Sequence, residues 1–325
     1  MTPSLKVIAP GACTTVQGAK RIGYQEIGVP ASGPLDAISL RLANALVGNP
    51  DGTPGLEMLL QGPMCEVIAK SVRIALVGCS ADIEVRSPHA RRVPAGQSVT
   101  LRQGEVFRIG PLIDSACACL AIEGGLGIAP VMGSASTYMR GAIGGIQGRR
   151  LQKGDSVPLA LAAASARDEQ AFAEPLDPRF DQPVRVVLGP QADYFTDHGV
   201  KTFLSESYTV SPQADRMGFR LDGPVIEHAN DYNIVSDGVV SGSIQVPGSG
   251  RPIVLMVDNQ TTGGYPKIAT VISADLPVVG RRRPGRPIRF VAVDVREAEQ
   301  LRRNQEAAIQ QQISHFRNVR CASPA

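Results

Sequence analysis

Apolar residues along this chain fall in short runs bounded by glycine and proline. VRIALVG (72–78), EVFRIG (105–110), VRVVLG (184–189), PIVLMVD (252–258) and PIRFVAVDV (287–295) are the clearest. Runs of this length, rich in Val, Ile and Leu and closed by turn formers, predict strands. With 34 glycines and 25 prolines the chain is cut too often for many helices, so the pattern predicts a mainly β protein built as barrels or sandwiches. Two stretches read as helices. In SGPLDAISLRLANALVGN, Pro34 sits at a first helical position, Ile38, Leu42 and Leu46 share a face, and Gly48 is the stop. The tail from Glu297 to Phe316 carries a patchier stripe of Leu301, Ile309, Ile313 and Phe316.

One stretch breaks the pattern. In MVDNQTTGGYPKIATV (256–271), an apolar run enters two threonines, two glycines, a tyrosine, a proline and a lysine before the next apolar run begins. This reads as a loop between two strands, dense in hydrogen-bonding groups. Faint echoes suggest a duplicated architecture: LLQGPMCEVI (59–68) shares Leu-x-Gly-Pro-x-x-Glu with RLDGPVIEHA (220–229). LRQGEVFRIG (101–110), RRPGRPIRFV (282–291) and LQKGDSVPLA (151–160) each read as a glycine turn opening into a strand. The low-complexity patch at 159–178 is the linker candidate, dividing the chain into 1–175, a first β-barrel domain, and 176–325, a second with a C-terminal helix.

Composition narrows the class. The 325 residues, 43% hydrophobic, suffice for two cores of ordinary size. A net charge of +3 without a basic stripe, 4% aromatics and no tryptophan argue against nucleic acid. The cluster Arg281, Arg282, Arg283 and Arg286 reads as a solvated face or a contact between subunits. No run of 18 apolar residues and no signal peptide are present, so the chain reads as cytoplasmic and unattached to membrane. The cysteines at 13, 65, 79, 117, 119 and 321 include no CxxC and read as buried thiols in a reducing compartment. The histidines at 89, 198, 228 and 315 lack zinc-ligand spacing, so no metal site is expected.

No P-loop, dinucleotide fingerprint or GxSxG elbow is present. What remains is glycine-containing polar loops, whose backbones can approach a ligand and turn amides toward an anion. They are GYQEIGVPASGPLD (23–36), EGGLGIAPVMGSASTYMRGAIGGIQGRRL (123–151), SPQADRMGFRL (211–221), GSIQVPGSGRP (242–252) and DNQTTGGYPK (258–267).

Together with the stretch at 11–49, GSAST, GGIQGRRLQKGD and GPQADYF, the last three of these loops form seven blocks in order between residues 7 and 293. They resemble the biotin-dependent carboxyltransferase family, also known by its allophanate hydrolase member (the second subunit) and its 5-oxoprolinase member (the C-type subunit). The resemblance implies two cyclophilin-like β-barrel domains and a cytoplasmic heteromer. Its partners would be a kinase-inhibitor-like B-type component and a ring-opening A-type component. Three functions follow from it. The first is a subunit of an ATP-dependent 5-oxoprolinase, cleaving the amide C–N bond of 5-oxoproline to give glutamate, with ATP bound mainly by a partner. The second is the carboxyltransferase of a urea or amide carboxylase, with biotin on a separate carrier. The third is a non-catalytic antagonist of a kinase inhibitor.

Both chemistries place negative charge on oxygen in the transition state, which a cation and oriented donors stabilise. On that basis Lys267 supplies the cation, Gln260, Thr261 and Thr262 orient, Gly263 and Gly264 admit the backbone, and Tyr265 completes the wall. Asp258 serves as acid/base group or orients Lys267. Arg216 is a clamp for a substrate carboxylate, paired with Asp215; the two also read as a structural ion pair. Gln245, Tyr24, Gln25 and Asn44 are further candidates. Tyr24 and Gln25 equally suit barrel packing and a turn, and Asn44 a contact to a neighbouring loop. Four positions in three segments depart from the family pattern in charge: Gly18 stands for an aspartate, Asn259 for an arginine, and the late turn carries Arg281 for a glutamine and Arg286 for an aspartate.

Overall fold

The computed structural model describes residues 2–174 and 179–319. The expected boundary at residue 175 and Cys321 lie outside the described residues. By contacts the chain forms two compact units, one of residues 1–22, 32–177 and 308–325, the other of 23–31 and 178–307. Most of the low-complexity patch belongs to the first unit, where Glu169–Ala171 is a strand and Glu169 is buried.

The first unit is two antiparallel sheets around one core. A five-stranded sheet runs Cys13–Gln17, Gly55–Leu59, Cys117–Ile122, Ser71–Val77 and Ser98–Arg102. A six-stranded sheet runs Ser156–Pro158, Ser4–Ala9, Met64–Val67, Val106–Ile109, Ile83–Ser87 and Arg91–Val93. Val16, Leu56, Met58, Leu76 and Leu120 from the first meet Leu5, Val7, Val67, Val85 and Phe107 from the second in one apolar cluster. Near-complete burial of such side chains stabilises the unit by about 1.5–3 kcal/mol each. Cys65, Cys117 and Cys119 are buried in these strands.

The first helix is Ala37–Leu46, shorter at its start than the sequence predicts. Asp36 rather than Pro34 sets its beginning, because the Asp36 carboxylate accepts the Ser39 backbone N–H at 3.0 Å. Leu42, Ala43 and Leu46 face Ala75, Val77 and Ala121, and Gly48 ends the run in a left-handed turn (φ 75°) as expected. The tail helix spans Val295–Ser314; its Ile309, with Ile313 and Phe316 alongside, packs on that same cluster.

The second unit is an eight-stranded sheet that nearly closes into a barrel. Its order is Pro287–Ile288, Tyr208–Val210, Gly218–Asp222, Ile253–Leu255, Ser243–Gln245, Lys267–Val271, Val184–Leu188 and Phe290–Ala292. The two outermost strands are separated in sequence by Arg289 alone, so the chain itself joins the two edges of the sheet. Two further helices, Asp197–Ser205 and Leu276–Arg281, escape the sequence pattern because each is under three turns. The first brings Phe203 onto Phe290, ring centroids 4.7 Å apart. The arginine cluster is not uniformly solvated: Arg282 is buried, and Arg281 and Arg282 lie over the Phe180 ring at 5.6 and 5.7 Å.

Candidate active site

Lys267 opens the strand Lys267–Val271 and stands opposite Gln245 in the antiparallel pairing with Ser243–Gln245. Directly opposed residues share a face of the sheet. The Lys267 side chain is 3% exposed, whereas its counter-ion Asp237, 2.7 Å from Nζ, is 53% exposed. The ammonium also donates to the Gly238 carbonyl at 3.4 Å. A buried cation is thus held by a carboxylate that water and ligands can reach. Hydrogen bonding from the Lys267 ammonium, then from the Gly238 N–H, lowers the Asp237 carboxyl below its usual range.

Gln191 fixes both members of this pair. Its Oε1 accepts the Lys267 backbone N–H at 3.1 Å, and its Nε2 donates to Asp237 at 3.2 Å. Asp237–Gly238 forms a short antiparallel ladder with Thr262–Gly263, Asp237 facing Gly263. A Cβ on Gly263 would come within 2.3 Å of Gln245 Nε2, so a side chain there has to displace that amide. Gln245 is buried and donates to the Tyr265 carbonyl at 3.3 Å, while its Oε1 accepts Gln260 Nε2 at 3.2 Å.

The loop of residues 258–266 therefore gathers Gln245, Gln260, Gly263 and Lys267 as the sequence reading expects, and adds Asp237 and Gln191. Thr261 is half-buried and its carbonyl accepts the Val239 N–H at 3.1 Å; Thr262 is exposed; Tyr265 is 39% exposed. Gly264 gives its carbonyl to the Ile234 N–H at 2.9 Å.

Asp258 is placed differently from either role anticipated for it. Its carboxylate faces Arg216, with Nε–Oδ2 at 2.8 Å and Nη2–Oδ1 at 3.4 Å, and both side chains are buried. The carboxylate that holds Lys267 is Asp237. Asp215 caps the neighbouring turn, accepting the Met217 and Gly218 N–H groups at 2.9 and 3.1 Å.

Tyr24 and Gln25 form a turn within the second unit, their carbonyls accepting Val29 N–H at 3.2 Å and Gly28 N–H at 3.0 Å. Asn44 is buried in the first unit, donating to the Thr53 carbonyl at 2.8 Å and accepting from Asn49 Nδ2 at 2.9 Å. That is the neighbouring-loop contact its helical position suggested.

The departures from the family pattern have local reasons. Asn259 is buried, accepts from Ser241 Oγ at 3.2 Å and donates to the Gln260 carbonyl at 2.6 Å, a pattern no arginine reproduces. Gly18 donates to Ser136 Oγ at 3.0 Å, and a Cβ there would lie 3.0 Å from the Pro54 Cα. Arg286 is exposed. Sequence reasoning missed Asp237, which sits in SDGVV without any local signature. Gln191 stood in the GPQADYF block without being singled out. Among the described residues, no cluster of three His, Cys, Asp or Glu could hold a metal. Chemically, the arrangement presents a buried cation and directed amides to an oxygen that gains negative charge.

Comparison with known proteins places this geometry. The family described as carboxyltransferase domain, subdomain A and B, matches residues 27–292. The chain is 35% identical over 312 residues to the C-type subunit of the 5-oxoprolinase of Escherichia coli (strain K12), covering 94% of this chain and 97% of that one. It is 34% identical over 330 residues to the urea amidolyase of Lachancea kluyveri, covering 94% of this chain but 18% of that protein. The crystal structure of Kluyveromyces lactis urea carboxylase superposes with a TM-score of 0.85 at 30% identity, over 96% of this chain and 29% of that one. With most of its length matched by the family and by a relative of nearly equal extent, the chain belongs to the carboxyltransferase domain (subdomain A and B) family.

Proposed function

We propose that this chain is the C-type subunit of a heteromeric ATP-dependent 5-oxoprolinase, converting 5-oxoproline to glutamate by amide C–N cleavage. The observation that carries the reading is the end-to-end match to the Escherichia coli 5-oxoprolinase component, over 94% of this chain and 97% of the relative. The urea enzymes match only as a fraction of much longer chains. The partners are a kinase-inhibitor-like B-type component and a ring-opening A-type component.

A lactam carbonyl is a poor electrophile, and ATP, bound mainly by a partner, supplies its activation in the assembly. The residues of this chain do the rest of what the site requires. Lys267 faces the lactam oxygen as charge builds on it, with Asp237 giving up part of its hold on the ammonium. Gly264, where a Cβ would meet nothing closer than 3.6 Å, lets the ring approach the backbone, while the space beside Gly263 is taken by the Gln245 amide. Arg216, held by Asp258, stiffens the strand entering the loop and does not clamp a substrate carboxylate, because its fork is already committed.

The family and the urea carboxylase superposition favour a second reading, in which the same cation stabilises oxygen charge during carboxyl transfer from biotin on a separate carrier. The test is ATP-dependent glutamate release from 5-oxoproline by the co-purified assembly, omitting each component in turn. Glutamate formation that stops when this chain is omitted, and when Lys267→Met replaces it, supports the first reading. An intact assembly that yields no glutamate, yet carboxylates urea or an amide when biotinylated carrier is supplied, sinks it in favour of the second. Turnover unaffected by Lys267→Met leaves only a binding role for this chain.

A further inference from the structure

The site wall contains a directed relay of amides that ends on an unpaired acceptor. The Tyr265 carbonyl can only accept, so the group of Gln245 facing it at 3.3 Å must be the amide nitrogen. That choice turns Gln245 Oε1 toward Gln260 at 3.2 Å, and the group facing it must then be Gln260 Nε2. The orientation of Gln260 follows: its Oε1 points away from the relay. This oxygen is buried and has no hydrogen-bond partner.

A buried carbonyl oxygen without a donor costs free energy that a folded protein rarely leaves uncompensated. Here the orphan sits in the wall of the candidate site. Gln245 is buried and stands opposite Lys267 in the sheet, and Gly263, which faces Asp237, is kept free of a side chain by the Gln245 amide. Backbone register, the relay and the orphan all belong to the same loop of residues 258–266.

We infer that Gln260 Oε1 is the acceptor for the N–H of an amide-type substrate, and that this contact selects a five-membered lactam acid over its ring-oxygen counterpart. The inference rests on the proposed 5-oxoprolinase reading and deepens it, because it assigns the group that recognises the scissile nitrogen rather than the carbonyl. A lactam presents its N–H beside its C=O, so one ring can donate to Gln260 while its oxygen meets the cation of Lys267. A lactone places an oxygen lone pair where the N–H stood. Against Gln260 Oε1 that is acceptor facing acceptor. Sites built to pair a substrate N–H reject the analogue lacking it far more strongly than an apolar pocket rejects a missing methylene.

The experiment is calorimetric titration of the assembly without ATP, so that nothing turns over. The ligands are 5-oxoproline, the corresponding γ-lactone carboxylic acid, and urea. The expected result is lactam affinity roughly tenfold or more above that of the lactone in the wild type. In Gln260→Met the ratio should fall to about one, through loss of lactam affinity while lactone affinity is kept or gained. The lactone is the internal control, since it makes no hydrogen bond to Gln260 and lactone binding no weaker than in the wild type reports an intact site.

A wild-type assembly that does not discriminate, or a ratio that Gln260→Met leaves unchanged, overturns the inference and gives the orphan oxygen to a water. Equal losses on both ligands do the same. Urea binding more tightly than the lactam, with the same dependence on Gln260, overturns the lactam assignment in favour of a ureido substrate. Discrimination that vanishes in Gln260→Met while the wild type releases no glutamate with ATP leaves the recognition role standing and removes the hydrolase reading.

Discussion

Arg216→Met should unfold the second unit far more easily than a surface arginine substitution would. Arg216 and Asp258 are both buried and meet along two contacts, at 2.8 and 3.4 Å, and their backbones are also bonded, Asp258 N–H donating to the Arg216 carbonyl at 2.9 Å. Removing one partner leaves the other charge in a low-dielectric interior, at a cost of about 3–5 kcal/mol. Against a total domain stability of about 5–15 kcal/mol this is a large share. With a urea dependence of about 2 kcal/mol per molar, the midpoint should fall by roughly 2 M. Asp258→Leu should behave alike, whereas Arg216→Met combined with Asp258→Leu, which removes both charges, should lie much nearer the wild type. Far-ultraviolet circular dichroism across a urea series on the four proteins completes the cycle. Single variants within about 1 kcal/mol of wild type, or a double variant as unstable as the two losses summed, would refute the reasoning. The same numbers bear on function. An inactive Asp258→Ala protein says nothing about acid/base catalysis until its stability is known.

The lowered Asp237 carboxyl carries a signed prediction. Because its folded value lies below its unfolded one, the Asp237–Lys267 contact contributes fully above the ordinary carboxylate range and is lost only as pH falls through the depressed value. Lys267→Met should therefore return the Asp237 titration, followed by carbon-detected nuclear magnetic resonance, upward toward the usual range; an unmoved titration would show that another group sets it. Gly263→Ala should cost about 1–3 kcal/mol by overpacking and displace Gln245, whose amide lies 2.3 Å from the added carbon. Its turnover should fall by far more than its thermal midpoint indicates, and retention of both would contradict the packing. Burial pushes the Cys65 and Cys79 thiols up to about 12 and Cys119 well above its usual value. Native protein should accordingly label these three with a thiolate-selective reagent only after unfolding, and mass mapping of labelled peptides checks it.

The mainly β character was legible because its signal is local. Val72–Val77, Val106–Ile109 and Val184–Leu188 are apolar runs closed by glycines, and each is a strand. The loop at 258–266 was legible for the opposite reason: no core accepts two threonines, two glycines and a lysine in sequence, so their presence between two strands marked a surface with work to do. What could not be read was pairing across the chain. Asp258 is nine residues from Lys267 and looked like its natural counter-ion, yet strand pairing turns it toward Arg216 and brings Asp237, thirty residues away, onto the ammonium. The helix start was missed by a smaller margin. Pro34 satisfies one rule for helix beginnings, but the Asp36 carboxylate satisfies a backbone N–H, and the hydrogen bond decides.

The relatives that resemble this chain are named for two reactions, on 5-oxoproline and on urea. Under the proposed reading, one scaffold has a physical reason to serve both. A lactam and a urea each offer a planar nitrogen–carbon–oxygen group whose oxygen gains charge during reaction and whose nitrogen carries a donor. In that reading the buried ammonium of Lys267 would answer the first property and the buried Gln260 Oε1 the second. Neither answer depends on what activates the carbon. Asn259, where the family resemblance implies an arginine, places no charge beside this wall, and Ser241 and the Gln260 carbonyl keep the asparagine fixed. The backbone that carries Gln260 is thereby held by neutral hydrogen bonds, and in the proposed reading Lys267 is the cation that meets the ligand. In that reading the wall suits the uncharged amide group of its substrate: a single cation balanced by one reachable carboxylate would attract developing charge on the amide oxygen without binding the ground state so tightly that the gain at the transition state is lost.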